Sequence, residues 1–274
     1  MAPKAVAPDT LVIRALASHA DFDACVRLQR ATWGDDFREL VPPAMLQIAQ
    51  KLGGIAAGAF AGDRLVGFVY GLTGLLDGRT AHWSHMLAVD PACRDQGIGQ
   101  RLKAHQRDAI RALGIDRIFW TFDPLVARNA YVNLTCLGAR VTEYVRDMYG
   151  DNPRSRTDSV IGSDRFVVVW DVIGGRDGHD RTPVAPAASA VSVTTADPAT
   201  PAVADPFPES PLVTIAIPDD IQALKQTAPN TARAWRAATR GAFEHYVGSG
   251  YRVGGFARDP RGAGGRYVLE RADA

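Results

Sequence analysis

The run Met86 to Leu102, MLAVDPACRDQGIGQRL, constrains this chain more than any other stretch. An alternating apolar segment ends in Asp90-Pro91, a basic residue follows, and Gln96-Gly97-Ile98-Gly99 opens directly into a helical pattern. That order predicts a strand, a turn and a helix N-terminus. Two glycines one residue apart remove side chains where a backbone must come close to something. The first amides of the helix have no partner inside it, and its dipole adds partial positive charge at that end. Such a pocket suits a phosphate. The dinucleotide fingerprint would need a third glycine, and Gln100-Arg101-Leu102 supplies none; Gly-Lys-Ser/Thr of the phosphate loop is also absent.

A chain of 274 residues has room for more than one domain. Its formal net charge of +1 offers no broad field for nucleic acid or an anionic membrane. The opening MAPKAVAPDT has no apolar run of signal-peptide length, and no stretch approaches the roughly 18 apolar residues of a membrane span. A cytoplasmic protein without membrane or nucleic-acid partners is expected. Cys25, Cys93 and Cys136 are odd in number and widely spaced, which fits reduced thiols rather than disulfides or a metal site. Cys93, beside the glycine turn, is either a nucleophile or a small apolar side chain.

Residues 1–9 read as disordered. A first strand at Leu11 to Arg14 leads to a helix from Asp21, closed by Trp33-Gly34, and Pro42-Pro43 starts a second helix. Ala56 to Phe60 and Leu65 to Gly71 flank Gly62-Asp63 as a hairpin. In the strand Thr80 to Val89, strict alternation puts Trp83, His85, Leu87 and Val89 on one face and His82, Ser84, Met86 and Ala88 on the other. The helix after the glycines carries Leu102, His105, Gln106, Ala109 and Ile110 near one face and ends at Leu113-Gly114. A strand from Ile115 to Phe122, a helix closing at Gly138, and strands at Arg140 to Arg146 and Arg165 to Val172 follow. Residues 174–210, rich in Pro, Ala and Thr, read as a linker. Residues 211–272 then show a strand, two helices starting near Asp220 and Pro229, and a final hairpin.

The tail also repeats part of what precedes it. Arg128-Asn-Ala-Tyr through Asp147 aligns without a gap on Arg240-Gly-Ala-Phe through Asp259, at a constant offset of 112 positions. The Arg, Ala, Gly, Arg, Val, Arg and Asp of the two copies are identical, and two aromatics replace two aromatics. The expectation is a second helix-then-hairpin half without a second glycine loop, packed against or exchanging a strand with the first domain.

Arg94-x-x-Gly97-x-Gly99 after Leu87-x-Val89-Asp90-Pro91 resembles the GNAT superfamily of acyl-CoA-dependent N-acetyltransferases, and the element order resembles it from about Leu11 to Val172. Trp120 to Leu125 with Asn129-Ala130 is similar to a subgroup of predicted acetyltransferases with comparable tails. The resemblance implies a mixed α/β (α+β) fold, with a mostly antiparallel sheet flanked by helices over residues 10–173 and a C-terminal α/β half-domain beyond the linker. It implies acetyl-CoA as co-substrate, without a metal. Leu87, Ala88 and Val89 would pair with the pantetheine arm. Arg94, Asp95, Gln96, Gly97, Ile98, Gly99 and Gln100 would hold the pyrophosphate, and Asn129 and Asn133 lie close to where relatives bond the arm, although the usual asparagine position is Ala127 here. The acceptor is a small-molecule or protein amine, with Trp33, Asp36, Phe37 and Glu39 bordering its pocket, and a homodimer is possible.

In that family the amine attacks the thioester directly, so the enzyme supplies positioning, a route for the amine proton and a donor for the thiolate. His85 is the candidate general base, or else a histidine packed between strands; His82 ranks below it. The usual thiolate acid, four residues before the closing glycine, is Leu134 here. Tyr131, one turn earlier and on roughly the same face, is the nearest replacement, ahead of Tyr144 and Tyr149. Asp123 could bind a cationic acceptor or cap the next helix. The rival reading is a catalytically silent acyl-CoA-binding or regulatory module.

Overall fold

The computed structural model describes residues 11–150, 161–173, 188–193, 200–259 and 264–272; the expected disorder of residues 1–9 lies outside them. The chain forms two compact units, residues 1–120 with 171–174 and residues 121–170 with 175–274. The boundary falls within a strand rather than in the segment 174–210.

In the first unit, β1 (Leu11–Ala15), β2 (Ile55–Ala61), β3 (Arg64–Leu76), β4 (Arg79–Val89) and β5 (Arg117–Phe122, as far as Trp120) are neighbours in that order. All pairings are antiparallel except β4 with β5. The helix α1 (His19–Trp33) starts two residues before the expected Asp21, because Ser18 caps it. Ser18 Oγ accepts from the Asp21 amide at 3.1 Å, and the Asp21 carboxylate accepts the Ser18 amide at 3.3 Å. The second helix, α2 (Pro43–Lys51), starts at its prolines. These helices cover one face of the sheet, where Phe22, Leu46, Phe68, Tyr70, Met86 and Ala88 form the core. The helix α3 (Ile98–Ala112) covers the other face with Ile98 and Leu102 against Ala57, Val66, Val69, Leu87 and Val89.

The second unit holds α4 (Ala127–Ala130) continuing into a π-turn over Tyr131–Cys136, then β6 (Arg140–Val145) and β7 (Arg165–Asp171, as far as Trp170), paired antiparallel. A five-stranded sheet runs β11-β12-β10-β8-β9, from β8 (Ala188–Val193), β9 (Pro201–Val203), β10 (Leu212–Ile217), β11 (Tyr251–Arg258) and β12 (Gly265–Arg271). Within the segment expected to be a linker, residues 188–193 and 201–203 are therefore strands: β8 lies parallel to β10 and antiparallel to β9. Composition misleads here because Ser-Ala-Val-Ser-Val is short, and it becomes a strand by pairing with a distant partner.

The helices α5 (Ile221–Thr227) and α6 (Pro229–Gly248) complete the unit. Its core is aromatic: the rings of Phe166, Phe243 and Tyr267 meet pairwise at 4.8–5.4 Å. Both copies of the repeat fold as helix, left-handed glycine and strand, with Gly138 at φ 67° and Gly250 at φ 82°. The copies cross-pack. Arg240, the first residue of the second copy, donates to Asp147, the last of the first, at 2.8 Å. Tyr144 rests on Phe243 at 5.4 Å, and the Arg258 guanidinium lies 4.7 Å over Tyr131.

The tail is also tied to the turn that follows β5. Arg236 grips both oxygens of Asp123 at 2.8 Å, and the hydroxyl of Tyr267 donates to the Pro124 carbonyl at 2.7 Å. Arg236 and Asp123 are 4% and 6% exposed at their side chains, so breaking the pair strands a buried charge. Asp123 thus holds the chain's own cation and caps the Leu125 amide at 2.9 Å. Urea denaturation of Arg236→Met is expected to show a loss of about 3–5 kcal/mol, and Arg236→Met with Asp123→Leu a partial recovery.

Candidate active site

The turn after β4 is built locally. Asp90 caps a 3-10 turn (Pro91–Cys93) by accepting the Ala92 amide at 3.0 Å, and Asp95 and Gly97 both take the left-handed conformation, at φ 65° and 72°. Gly97 then caps α3, whose first internal bond runs from the Arg101 amide to the Gly97 carbonyl at 3.1 Å. The amides of Ile98, Gly99 and Gln100 thus have no acceptor within the helix. Gly99 is different from Gly97. It has no left-handed φ, and a Cβ there would meet only Leu87 and Val89 side chains at 3.6 and 4.0 Å, which is ordinary contact. The protein's own packing does not demand glycine at 99. Arg94, Asp95, Gln96, Gly97 and Gln100 are exposed at this helix end, and Arg94 Nε reaches the Val89 carbonyl at 3.4 Å. Cys93 is buried in the α3-side core, with the Arg64 guanidinium 3.3 Å from its sulfur.

The alternation expected for β4 breaks at His85. Tyr70 pairs with Met86 and Gly71 with Ser84, so His85 is the extra residue of a bulge. The bulge reverses the parity of everything after it. Leu87 and Val89 lie on the α3 side, as do His82 and Ser84, which contact α3 residues. His85 goes to the opposite side, where its ring meets the edge of Tyr70 at 6.1 Å. It does not share a face with Leu87 and Val89, nor does His82 share one with Met86 and Ala88. Burial lowers the His85 pKa below the usual histidine value, partly offset by Glu39. Trp33 stacks on Phe37 at 5.1 Å and meets Phe68 edge-on at 6.1 Å, so these two aromatics pack on the core beside His85's face while Asp36 and Glu39 stay exposed.

Sequence reasoning missed a buried polar chain on the α3 face. Lys103 donates to Ser84 Oγ at 2.8 Å and to Gln106 Oε1 at 3.2 Å. The Gln106 amide lies 3.0 Å from His82 Nε2, His82 Nδ1 lies 3.1 Å from Thr73 Oγ1, and Thr73 donates to the Gly53 carbonyl at 2.8 Å. Because Thr73 spends its proton on Gly53, it accepts from His82 Nδ1–H, and Nε2 accepts from Gln106; His82 is thereby neutral. Gly71 makes room for the ring: a Cβ there would collide with His82 Nε2. Burial, then the nearby Lys103 charge, pushes the His82 pKa down to about 3. The buried stripe of α3 is Ile98, Leu102, Lys103, Gln106 and Ile110, with Lys103 in place of the expected His105. The only sequence signal was a lysine one step from Leu102, on a stripe that also carries Gln106.

Tyr131, Asn129 and Asn133 belong to the second unit. Asn129 is exposed and Asn133 buried. Tyr131 opens the π-turn, whose Val132 carbonyl accepts the Leu137 amide at 2.9 Å, five residues on. Ala130 and Tyr131, where the π-turn begins, keep right-handed helical dihedrals. An open depression lined by Leu16, Phe22, Gln47 and Gln50 contains none of these residues. No group of three or more metal-ligating side chains occurs among the described residues, and no helix there is long and apolar enough to cross a membrane.

His82 makes stability pH-dependent. Its folded pKa lies below its unfolded one, so the unfolded chain binds the extra proton and stability drops as pH falls below about 6.5 toward 3. Lys103, titrating higher, leaves this window flat. Denaturant midpoints between pH 6.5 and 4.5 are expected to register a loss of about 2–3 kcal/mol from this group, and a shallower slope in His82→Gln.

Residues 22–133 match the family model described as the acetyltransferase (GNAT) family. No curated protein matches the chain. Among solved structures, the ribosomal-protein-S18-alanine N-acetyltransferase of Escherichia coli is 16% identical, with a TM-score of 0.47 over 62% of this chain and 99% of its own. An aminoglycoside 6'-acetyltransferase type Ii is 20% identical, with a TM-score of 0.47 over 60% and 99%. A GNAT family acetyltransferase from Elizabethkingia anophelis with acetyl-CoA bound is 14% identical, with a TM-score of 0.47 over 60% and 99%. The matched residues 22–133 hold β4, the glycine turn and α3.

Proposed function

We propose that the protein transfers an acetyl group from acetyl-CoA to an amine by direct attack. The observation that carries this is the turn at Gly97 to Gln100, where a left-handed Gly97 opens α3, three amides have no acceptor within the helix, and Gly99 is required by no contact of its own. The amides of Ile98, Gly99 and Gln100 would take the pyrophosphate oxygens, with Arg94, Asp95, Gln96 and Gly97 forming the rim. Leu87, Ala88 and Val89 offer the β4 edge to the pantetheine arm, and Asn129 and Asn133 are proposed as further hydrogen-bonding partners for it.

Acetyl-CoA supplies an activated acyl carbon with a thiolate leaving group. The amine forms the C–N bond, the C–S bond breaks, and the ammonium proton must leave. His85 is the proposed base, directly or through water; its lowered pKa keeps it neutral and receptive throughout the neutral range. Tyr131 is the proposed donor to the thiolate. The acceptor is a small-molecule or protein amine, its pocket bordered by Trp33, Asp36, Phe37 and Glu39, in a cytoplasmic protein able to form a homodimer without membrane or nucleic-acid partners. A catalytically silent acyl-CoA-binding module is the second reading, favoured by Leu134 at the usual acid position.

Calorimetry is expected to give micromolar binding of acetyl-CoA and coenzyme A, on the order of −8 kcal/mol, abolished by Gly97→Trp. In an amine screen His85→Ala is expected to lower kcat about a hundredfold or more. Tight binding with no turnover across a broad amine panel would favour the silent module; no binding by the wild type would reject both readings.

A further inference from the structure

Lys103 is the least expected residue of the first unit. It is 8% exposed, yet it sits where an apolar side chain would complete the stripe of α3 without desolvating a charge. Among the described residues no carboxylate pairs with it; its contacts are Ser84 Oγ, Gln106 Oε1 and the face of Trp120, 4.1 Å from the ammonium nitrogen. Burial alone pushes its pKa down to about 7. A residue held at that cost, with every donor direction occupied, is performing a task that leucine could not.

The task follows from where the contacts lie. Among the described residues, β4 and β5 form a parallel ladder of two pairs, His82 with Ile118 and Trp83 with Phe119. The next residue on each strand is Ser84 and Trp120, and there the ladder ends, while β4 bulges at His85 and runs on to Val89. Ser84 and Trp120 thus mark the fork where the two strands part, and Lys103 reaches both from α3. Behind it, Gln106 and His82 carry the attachment to β3 and to the α2–β2 turn through Thr73 and Gly53. The helix whose first turn forms the anion cradle and the two strands that open beside it are therefore joined by one side chain.

We propose that Lys103 is a positioning residue that fixes where the β4–β5 fork opens and so seats the arm of acetyl-CoA relative to the cradle. The inference about the arm rests on the function proposed above; the tie across the fork does not. Leucine or methionine at 103 would fill the volume and leave Ser84 and Trp120 unconnected.

Hydrogen–deuterium exchange on the ligand-free full chain tests the tie directly. In Lys103→Met, backbone amides at 84–89 and 118–120 are expected to exchange about tenfold faster, with the rest of the unit and the melting temperature little changed. Ser84→Ala, which removes one anchor and almost no volume, is expected to show the same pattern with a smaller increase. Steady-state kinetics then reads the consequence: a KM for acetyl-CoA about tenfold higher in Lys103→Met with kcat within twofold of wild type. Exchange unchanged at the fork, or raised evenly over the whole unit, in both variants would overturn the proposal and leave Lys103 as core filling. A localised exchange increase with no acetyl-CoA binding even by the wild type would reject the proposed function and the seating role while upholding the tie.

Discussion

One extra residue in β4 governs the layout of the first unit. Because His85 is accommodated as a bulge opposite the Tyr70–Gly71 step, the side chains beyond it change faces; the strand's parallel pairing with β5 ends at Trp83, two residues before it. That places His85 against Tyr70 on the side of α1 and α2, and turns Leu87 and Val89 toward α3, where they floor the approach to Gly99. His85 and the pair Leu87 and Val89 thus end up on opposite faces of one strand, near the place where its pairing with β5 ends. A strictly alternating strand would bring His85 to the face of Leu87 and Val89.

The polar chain from Lys103 to Gly53 works against the ordinary economics of a core. Each buried donor finds an acceptor, and the direction of every bond is set by the threonine at its end, so the network is complete rather than partial. It ties α3, β4, β3 and the α2–β2 turn together at the level of the fork. The neighbouring apolar cluster of Ile98 and Leu102 supplies the burial that makes those bonds strong.

In the second unit a different solution holds a loop in place. The turn after β5 is gripped by Arg236 and Tyr267, residues more than a hundred positions later, and Asp147 and Asp164 are gripped by Arg240. Arg240 and Asp147 are the two ends of the repeated segment, paired crosswise between copies. The repeat is thus a packing device in the fold: two helix–glycine–strand pieces, β6 beside β11, shield each other's aromatic faces.

The glycine turn, its flanking strand and helix, the prolines of α2 and the helices and hairpin of the tail were legible in the sequence, because turn chemistry, capping and apolar period are local properties. What the alternation of β4 implied beyond Ser84 was not, since a bulge is decided by pairing with β3 and leaves no mark in the strand itself. The same holds for β8 and β9, which composition assigns to a linker, and for the π-turn over Tyr131–Cys136. Lys103 and His82 gained their roles only when α3 was laid across the sheet. The sequence by itself determined which segments could cradle a phosphate and which could bury a face. Only the tertiary structure decided which polar side chains met in the dark of the core, because hydrogen bonds between residues 82, 103 and 106 depend on distances in space that no spacing along the chain encodes.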